Sequence, residues 1–158
     1  CSRRPTVLER HPCSGYPGRV VTEANGCFGC GAENPAGLKL SFSKQEDRVE
    51  ATAVFGADHA GWANIVHGGI VAAALDEAMG WAMSLLVGKN GVTSSLNVRY
   101  RRPVYIDHPL LLSARVKHSS AERVTIEASV ADQRGRELAT AEGQWVPVRD
   151  DRAVASRP

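Results

Sequence analysis

The chain has no cysteine beyond its first fifth: Cys1, Cys13, Cys27 and Cys30 are the full set in 158 residues. Disulfides therefore cannot staple the body of the protein, which must hold itself together by burial. No run of five or more basic residues occurs and the net charge is only +2, so nothing argues for nucleic acid as a partner. There is no G-x-S-x-G nucleophile elbow and no H-E-x-x-H zinc helix, which removes the commonest serine-hydrolase and metalloprotease signatures. Internal repeats are absent as well. What is left is ordinary globular material, 43% hydrophobic and 23% charged, of a length suited to one domain with a sizeable core.

One stretch departs from that ordinariness. From Val66 to Leu86 the chain reads VHGGIVAAALDEAMGWAMSLL, a His-Gly-Gly turn followed by a helix apolar nearly all round with Asp76 and Glu77 at its middle. A helix apolar on every side is a buried helix. An unpaired carboxylate inside it costs several kcal/mol or takes up a proton, so at least one acid is expected to sit inside with a task. Two glycines at a helix start allow close approach to free backbone N–H groups that favour developing negative charge. Donors at the helix start and a carboxylate two turns on are parts suited to attack on a carbonyl. The helix is long enough to span a bilayer, but two central acids would cost roughly 2.5–3.5 kcal/mol each there, so no membrane span is expected.

Residues 1–25 carry Pro5, Pro12, Pro17, Gly15 and Gly18 with little periodicity and read as an extended arm. The body is expected over 26–147, with a polar tail over 148–158. Leu38 to Ser43 and Arg48 to Phe55 alternate as strands, and a loop leads to the helix, about Gly69 to Val87, which ends at Gly88-Lys89-Asn90-Gly91. Four more strands are expected at Val92 to Arg102, Leu110 to Lys117, Arg123 to Val130 and Glu137 to Val146. This order predicts an α+β fold, an antiparallel sheet of five to six strands wrapped around one long central helix. One sheet leaves part of the helix and a sheet edge uncovered, so a second copy is expected to cover both.

Smaller features keep more than one reading. Cys27-Phe28-Gly29-Cys30 is a C-x-x-C knuckle that serves as a structural turn with free thiols, as two metal ligands, or as a redox pair. A zinc ion there would need further ligands, with Cys13, His11 or a second subunit as the nearby sources. Arg99, Arg101 and Arg102 form a basic cluster, either a solvated strand face or a phosphate contact. His67 is a turn-shaping hydrogen-bonding residue or a general base. Trp62, Trp81 and Met83 are core or the wall of an acyl pocket.

The motifs in order, His67-Gly68-Gly69, Asp76 nine positions after the His, and then Thr93-Ser94-Ser95-Leu96-Asn97-Val98-Arg99-Tyr100-Arg101-Arg102-Pro103, resemble the hotdog-fold acyl-CoA thioesterases of the PaaI-type branch over about Cys27 to Val146. The resemblance implies hydrolysis of an acyl-CoA to free acid and CoA, without a cofactor or metal in the reaction. By position it implies that the Gly68 N–H polarises the thioester carbonyl and that Asp76 acts as general base on water or as nucleophile. Thr93 matches a threonine that holds the attacking water or the acid, although strand parity alone sets it opposite Leu96, Val98 and Tyr100. Asn64 is the nearest candidate for the amide side chain that precedes the His-Gly-Gly turn in such proteins, with His59 next. His67, Asn64 and Thr93 thus join Asp76 and Gly68 as the expected catalytic set, with Gly69, Glu77, Ser94, Arg101 and Arg102 as the substrate-binding set. Gly80 stands where another group of hotdog thioesterases carries a hydroxyl residue. The expected assembly is a cytoplasmic homodimer or dimer of dimers with the site at the subunit interface. A non-catalytic acyl-CoA-binding hotdog module, a hotdog hydratase or dehydratase, and a zinc-stabilised interaction domain remain as alternatives. The Asp-His pair of a dehydratase stands some five residues apart, a spacing His67 and Asp76 do not match.

Overall fold

Alanine is the best helix former, and five alanines lie in α1, Gly68–Ala82, the one long helix among the described residues, with no proline to interrupt it. Val71, Ala74, Leu75, Ala78, Met79, Trp81 and Ala82 are buried on it. Its last turn widens into a π-type segment, Met83–Val87, and stops at Gly88, whose φ of 73° suits a residue without a Cβ. The computed structural model describes residues 26–148, so the expected arm over 1–25 and the tail beyond Val148 lie outside the described residues.

Around α1 wraps a six-stranded sheet built from β1 (Ser43–Lys44), β2 (Val49–Ala53), β5 (Gly91–Tyr100), β6 (Leu110–Ser119), β7 (Val124–Asp132) and β8 (Glu137–Pro147). The spatial order is β1-β2-β6-β7-β8-β5 and every pairing is antiparallel. Period-two alternation turns Val49, Ala51 and Ala53, then Leu110, Leu112 and Ala114, then Val124, Ile126, Ala128 and Val130 inward against the helix. On β8 the inward set is Ala139, Ala141, Gly143 and Trp145. This is the expected α+β architecture. Between Gly68 and Val87 the chain is also long and apolar enough to cross a membrane. Here that segment is the core helix under the sheet.

Three local expectations are corrected. Leu38 to Ser43 does not form a strand, and only Ser43–Lys44 pairs. The Leu38 and Leu40 N–H groups donate instead to the carbonyls of Phe28 (2.7 Å) and Gly29 (2.9 Å), and Lys39 between them takes a left-handed φ of 54° that breaks the extended chain. The connection before the helix is a small hairpin rather than a loop: β3 (Ala60–Trp62) pairs with β4 (Ile65–Val66) across a turn in which Ala63 has a φ of 52°. Trp62 on this hairpin is 79% exposed, whereas Trp81 and Met83 are buried as core.

The third correction concerns the helix acids. No charged side chain is fully buried among the described residues, and Asp76 and Glu77 are both half-buried. One sheet covers α1 from one side only, so each acid emerges where cover ends: Asp76 towards β5, Glu77 towards the turn at Cys27–Cys30.

Gly143 on β8 faces α1 so closely that a Cβ there would stand 2.6 Å from the Met79 sulfur. Met79 is fully buried. Gly143→Ala should therefore overpack the core and lower stability by about 1–3 kcal/mol in urea unfolding, with secondary structure retained by circular dichroism.

Candidate active site

The start of α1 is shaped by its own capping residue. His67 is the N-cap, and its Nδ1 accepts a hydrogen bond from the Gly69 N–H at 2.9 Å. A ring nitrogen that accepts carries no proton, so the neutral ring places its proton on Nε2. The His67 carbonyl accepts from Ile70 N–H (2.9 Å) and Val71 N–H (3.2 Å). Of the first four helix amides, that of Gly68 has no acceptor among the described residues. It is the free donor of the helix start, exposed and favoured by the helix dipole for negative charge.

Two contacts hold this donor in place. The Tyr100 hydroxyl donates to the Gly68 carbonyl at 2.7 Å, fastening the first turn of α1 to the end of β5. Behind the turn the His67 N–H donates to the His59 carbonyl at 2.8 Å. Gly61 makes that approach feasible, since a Cβ there would lie 2.9 Å from the His67 Cα. Sequence reasoning assigned no role to Tyr100 or Gly61. Tyr100 did stand in the quoted strand motif, but its reach to Gly68 depends on how β5 crosses the helix.

Two turns further along, the Thr93 hydroxyl donates to Asp76 Oδ1 at 2.8 Å. Strand parity alone would have turned Thr93 away from the helix. The parity changes because β5 carries a bulge: Thr93 pairs with Trp145 and Ser95 with the next residue, Gln144, so Ser94 is one residue extra. The Ser94 hydroxyl stabilises the bulge by donating to the Gln144 carbonyl at 3.0 Å. Thr93 and Asp76 are thereby brought together, with Oδ2 of Asp76 left to solvent or substrate.

Other expected site residues lie elsewhere. Asn64 occupies the exposed β3–β4 turn, where its carbonyl accepts from the Ile106 N–H at 3.0 Å. Glu77 accepts from the Trp81 indole N–H at 3.0 Å and faces the Cys27–Cys30 turn, about 100° round the helix from Asp76. Tyr100 points towards α1, so Asn97, Arg99 and Arg101 point to the other face of β5, where they line an open cavity of about 800 Å³. Arg101 pairs there with Glu137 at 3.7 Å, and Arg102 donates to the Glu137 carbonyl at 3.0 Å. The chain does not bring either arginine to Asp76 or Gly68. At Gly80 the Trp145 ring fills the space a hydroxyl side chain would need, since a Cβ there would stand 3.1 Å from the indole.

The structure thus presents a helix start with one free amide and, two turns along α1, a carboxylate oriented by a hydroxyl beneath the wrapped sheet. Residues 63–139 match the thioesterase superfamily model. A curated Saccharolobus solfataricus protein, assigned there as a candidate esterase, is 32% identical over 114 residues, which cover 72% of this chain and 67% of that protein. Among solved structures, a thioesterase superfamily protein superposes with a TM-score of 0.69 at 26% identity, over 73% of this chain. The chain spans 60% of that protein's length. The Escherichia coli PaaI protein of the phenylacetic acid degradation operon superposes at 0.66 with 18% identity, over 72% of this chain and 82% of its own. A Streptococcus mutans protein bound to acetyl CoA gives 0.64 at 20% identity, over 69% and 88%. The chain belongs to the thioesterase superfamily and has the hotdog fold of these structures.

Thr93→Val removes the hydroxyl without changing the side chain's shape. The expected loss is about 0.5–1.5 kcal/mol by urea unfolding, at the neutral end of the range because the pair is open to solvent. The loss should fall towards zero in an Asp76→Ala background, where the partner is missing.

Proposed function

We propose that the protein hydrolyses an acyl-CoA thioester to free acid and CoA. The observation that carries this reading is the Thr93–Asp76 hydrogen bond, which occupies one carboxylate oxygen and leaves the other to accept a proton. Water held at Asp76 Oδ2 loses its proton to the carboxylate as its oxygen bonds to the thioester carbon. The carbonyl oxygen becomes an oxyanion, and a Gly68 N–H donates to it from the positive end of α1. Collapse of the tetrahedral intermediate breaks the C–S bond, and the proton held by Asp76 goes to the departing thiolate. A thioester carbon is electrophilic enough for a carboxylate-assisted water to suffice.

Helix geometry then bears on the assembly. Gly68 and Asp76 are eight residues apart on α1, about 12 Å along its axis, too far for one carbonyl group to meet both. We infer that a site combines Asp76 and Thr93 of one chain with Gly68, His67 and Asn64 of the partner subunit. The edge of β5 supports this, because among the described residues its ten residues have a ladder partner on one side only. Val92 and Tyr100 along it are 56% and 54% exposed, and Trp62 stands open beside the helix start. A homodimer, or a dimer of dimers, would cover these surfaces. Gly69 and Ser94 adjoin the two halves, Glu77 faces away from them towards the Cys27–Cys30 turn, and Arg101 and Arg102 would meet CoA phosphates only across such an interface. The proposed CoA-thioester substrate supports a cytoplasmic location.

Asp76→Asn should reduce thiol release from a panel of acyl-CoAs by about 10²–10⁴-fold with the fold intact. Turnover at the wild-type rate in a folded Asn variant sinks the assignment, and a wild-type protein that binds acyl-CoA without releasing thiol is a binding module instead. Light scattering should give two or four times the chain mass. Full activity in a particle of single-chain mass would overturn the shared site.

A further inference from the structure

The turn at Cys27–Cys30 does more than lead into the sheet. Its backbone closes tightly, with the Gly31 N–H on the Cys27 carbonyl at 3.0 Å and the Leu38 and Leu40 amides on Phe28 and Gly29. Asn34 ties the far end by donating to the Gly26 carbonyl at 3.0 Å. Both thiols then face α1 at Glu77. The Cys27 sulfur lies 3.9 Å from Glu77 Oε2, and the ligand atoms of Cys27, Cys30 and Glu77 all lie within 4.8 Å of one another. Gly29, between the two cysteines, is buried against that carboxylate: a Cβ there would stand 2.1 Å from Oε2. A side chain at this position would push the Glu77 carboxylate out of the place it now occupies under the knuckle.

Glu77 Oε1 accepts the Trp81 indole N–H, and Oε2 faces the Cys27 thiol, a weak donor, at 3.9 Å. No lysine, arginine or histidine pairs with Glu77 among the described residues. Two soft sulfurs and one carboxylate oxygen, at C-x-x-C spacing and converging on one point, form a donor set for a thiophilic divalent cation. Around a tetrahedral zinc, sulfurs at 2.3 Å from the metal would stand ~3.8 Å apart, so the three groups need move by only about 1 Å.

We propose that Cys27, Cys30 and Glu77 bind one zinc-like divalent ion, with water as fourth ligand. Binding ionises the two thiols and releases their protons. The ion pins residues 26–40 to α1 at the position next to Asp76, on the side of the helix away from the proposed reaction. It is a structural site, and it stands whether or not the thioesterase reading does.

The test uses the full chain under reducing conditions, loaded with zinc and then dialysed. Elemental analysis should find one zinc per chain, and cobalt(II) in its place should show thiolate-to-metal charge transfer and tetrahedral d–d bands. Cys27→Ser/Cys30→Ser should lose the metal, Cys1→Ser/Cys13→Ser should keep it, and Glu77→Gln should weaken binding at least tenfold while preserving volume and the Trp81 bond. Chelation should lower the melting temperature of the wild type and leave that of the double-serine variant unchanged. No zinc in the reduced wild type, cobalt spectra without thiolate bands, or equal metal in the Cys27→Ser/Cys30→Ser variant would each overturn the proposal. The wild-type cobalt spectrum decides the matter even if a variant fails to fold.

Discussion

Everything in this fold depends on covering one helix. The alanine-rich sequence of α1 has almost no polar face to offer to water, so its stability comes from the sheet that wraps it. Val71, Leu75 and Met79 are buried to 1% exposure or less, and fully burying side chains of this size is worth roughly 1.5–3 kcal/mol each. The small residues Ala74, Ala78 and Gly80 let strands and the Trp145 ring come close. That close approach has a consequence for chemistry: the only polar groups on the helix surface are those where cover stops.

Those places are three, and each has acquired a defined partner. The first turn is met by Tyr100, the middle by Thr93, and the side by the Cys27–Cys30 knuckle. Tyr100 and Thr93 sit on the same strand, so β5 works as a rail fastened to α1 at two points. The bulge at Ser94 is what allows both fastenings at once, because without the extra residue one of the two side chains would face outward. A backbone irregularity therefore orients the carboxylate proposed to do the chemistry.

Much of this was legible in the chain itself. Alternation announced β2 and β5 to β8, the unbroken apolar run announced α1, and Gly88 marked its end, because each signal is local and survives packing. Asp76, Thr93 and the His-Gly-Gly turn could be singled out by motif. The strand expected at Leu38 to Ser43 was misread for a local reason too: Lys39 leaves the extended region so that Leu38 and Leu40 can bond to the knuckle. Alternating hydrophobicity records that Leu40 and Phe42 are buried but not which backbone they bond to.

Residue pattern by itself determined the fold class, the helix with its two acids, and the choice of groups proposed to do chemistry, since periodicity and side-chain type are properties of the chain. Tertiary structure decided which of those groups meet. Only the bulge turns Thr93 to Asp76, only the crossing of β5 over α1 brings Tyr100 to Gly68, and only the closing of the knuckle sets two thiols against Glu77. It also carried Arg101 to the opposite face of the sheet, away from the carboxylate with which the motif had grouped it. The physical reason is the same throughout: side-chain direction in a strand reverses with a one-residue shift, and such shifts are set by long-range pairing that no local pattern records.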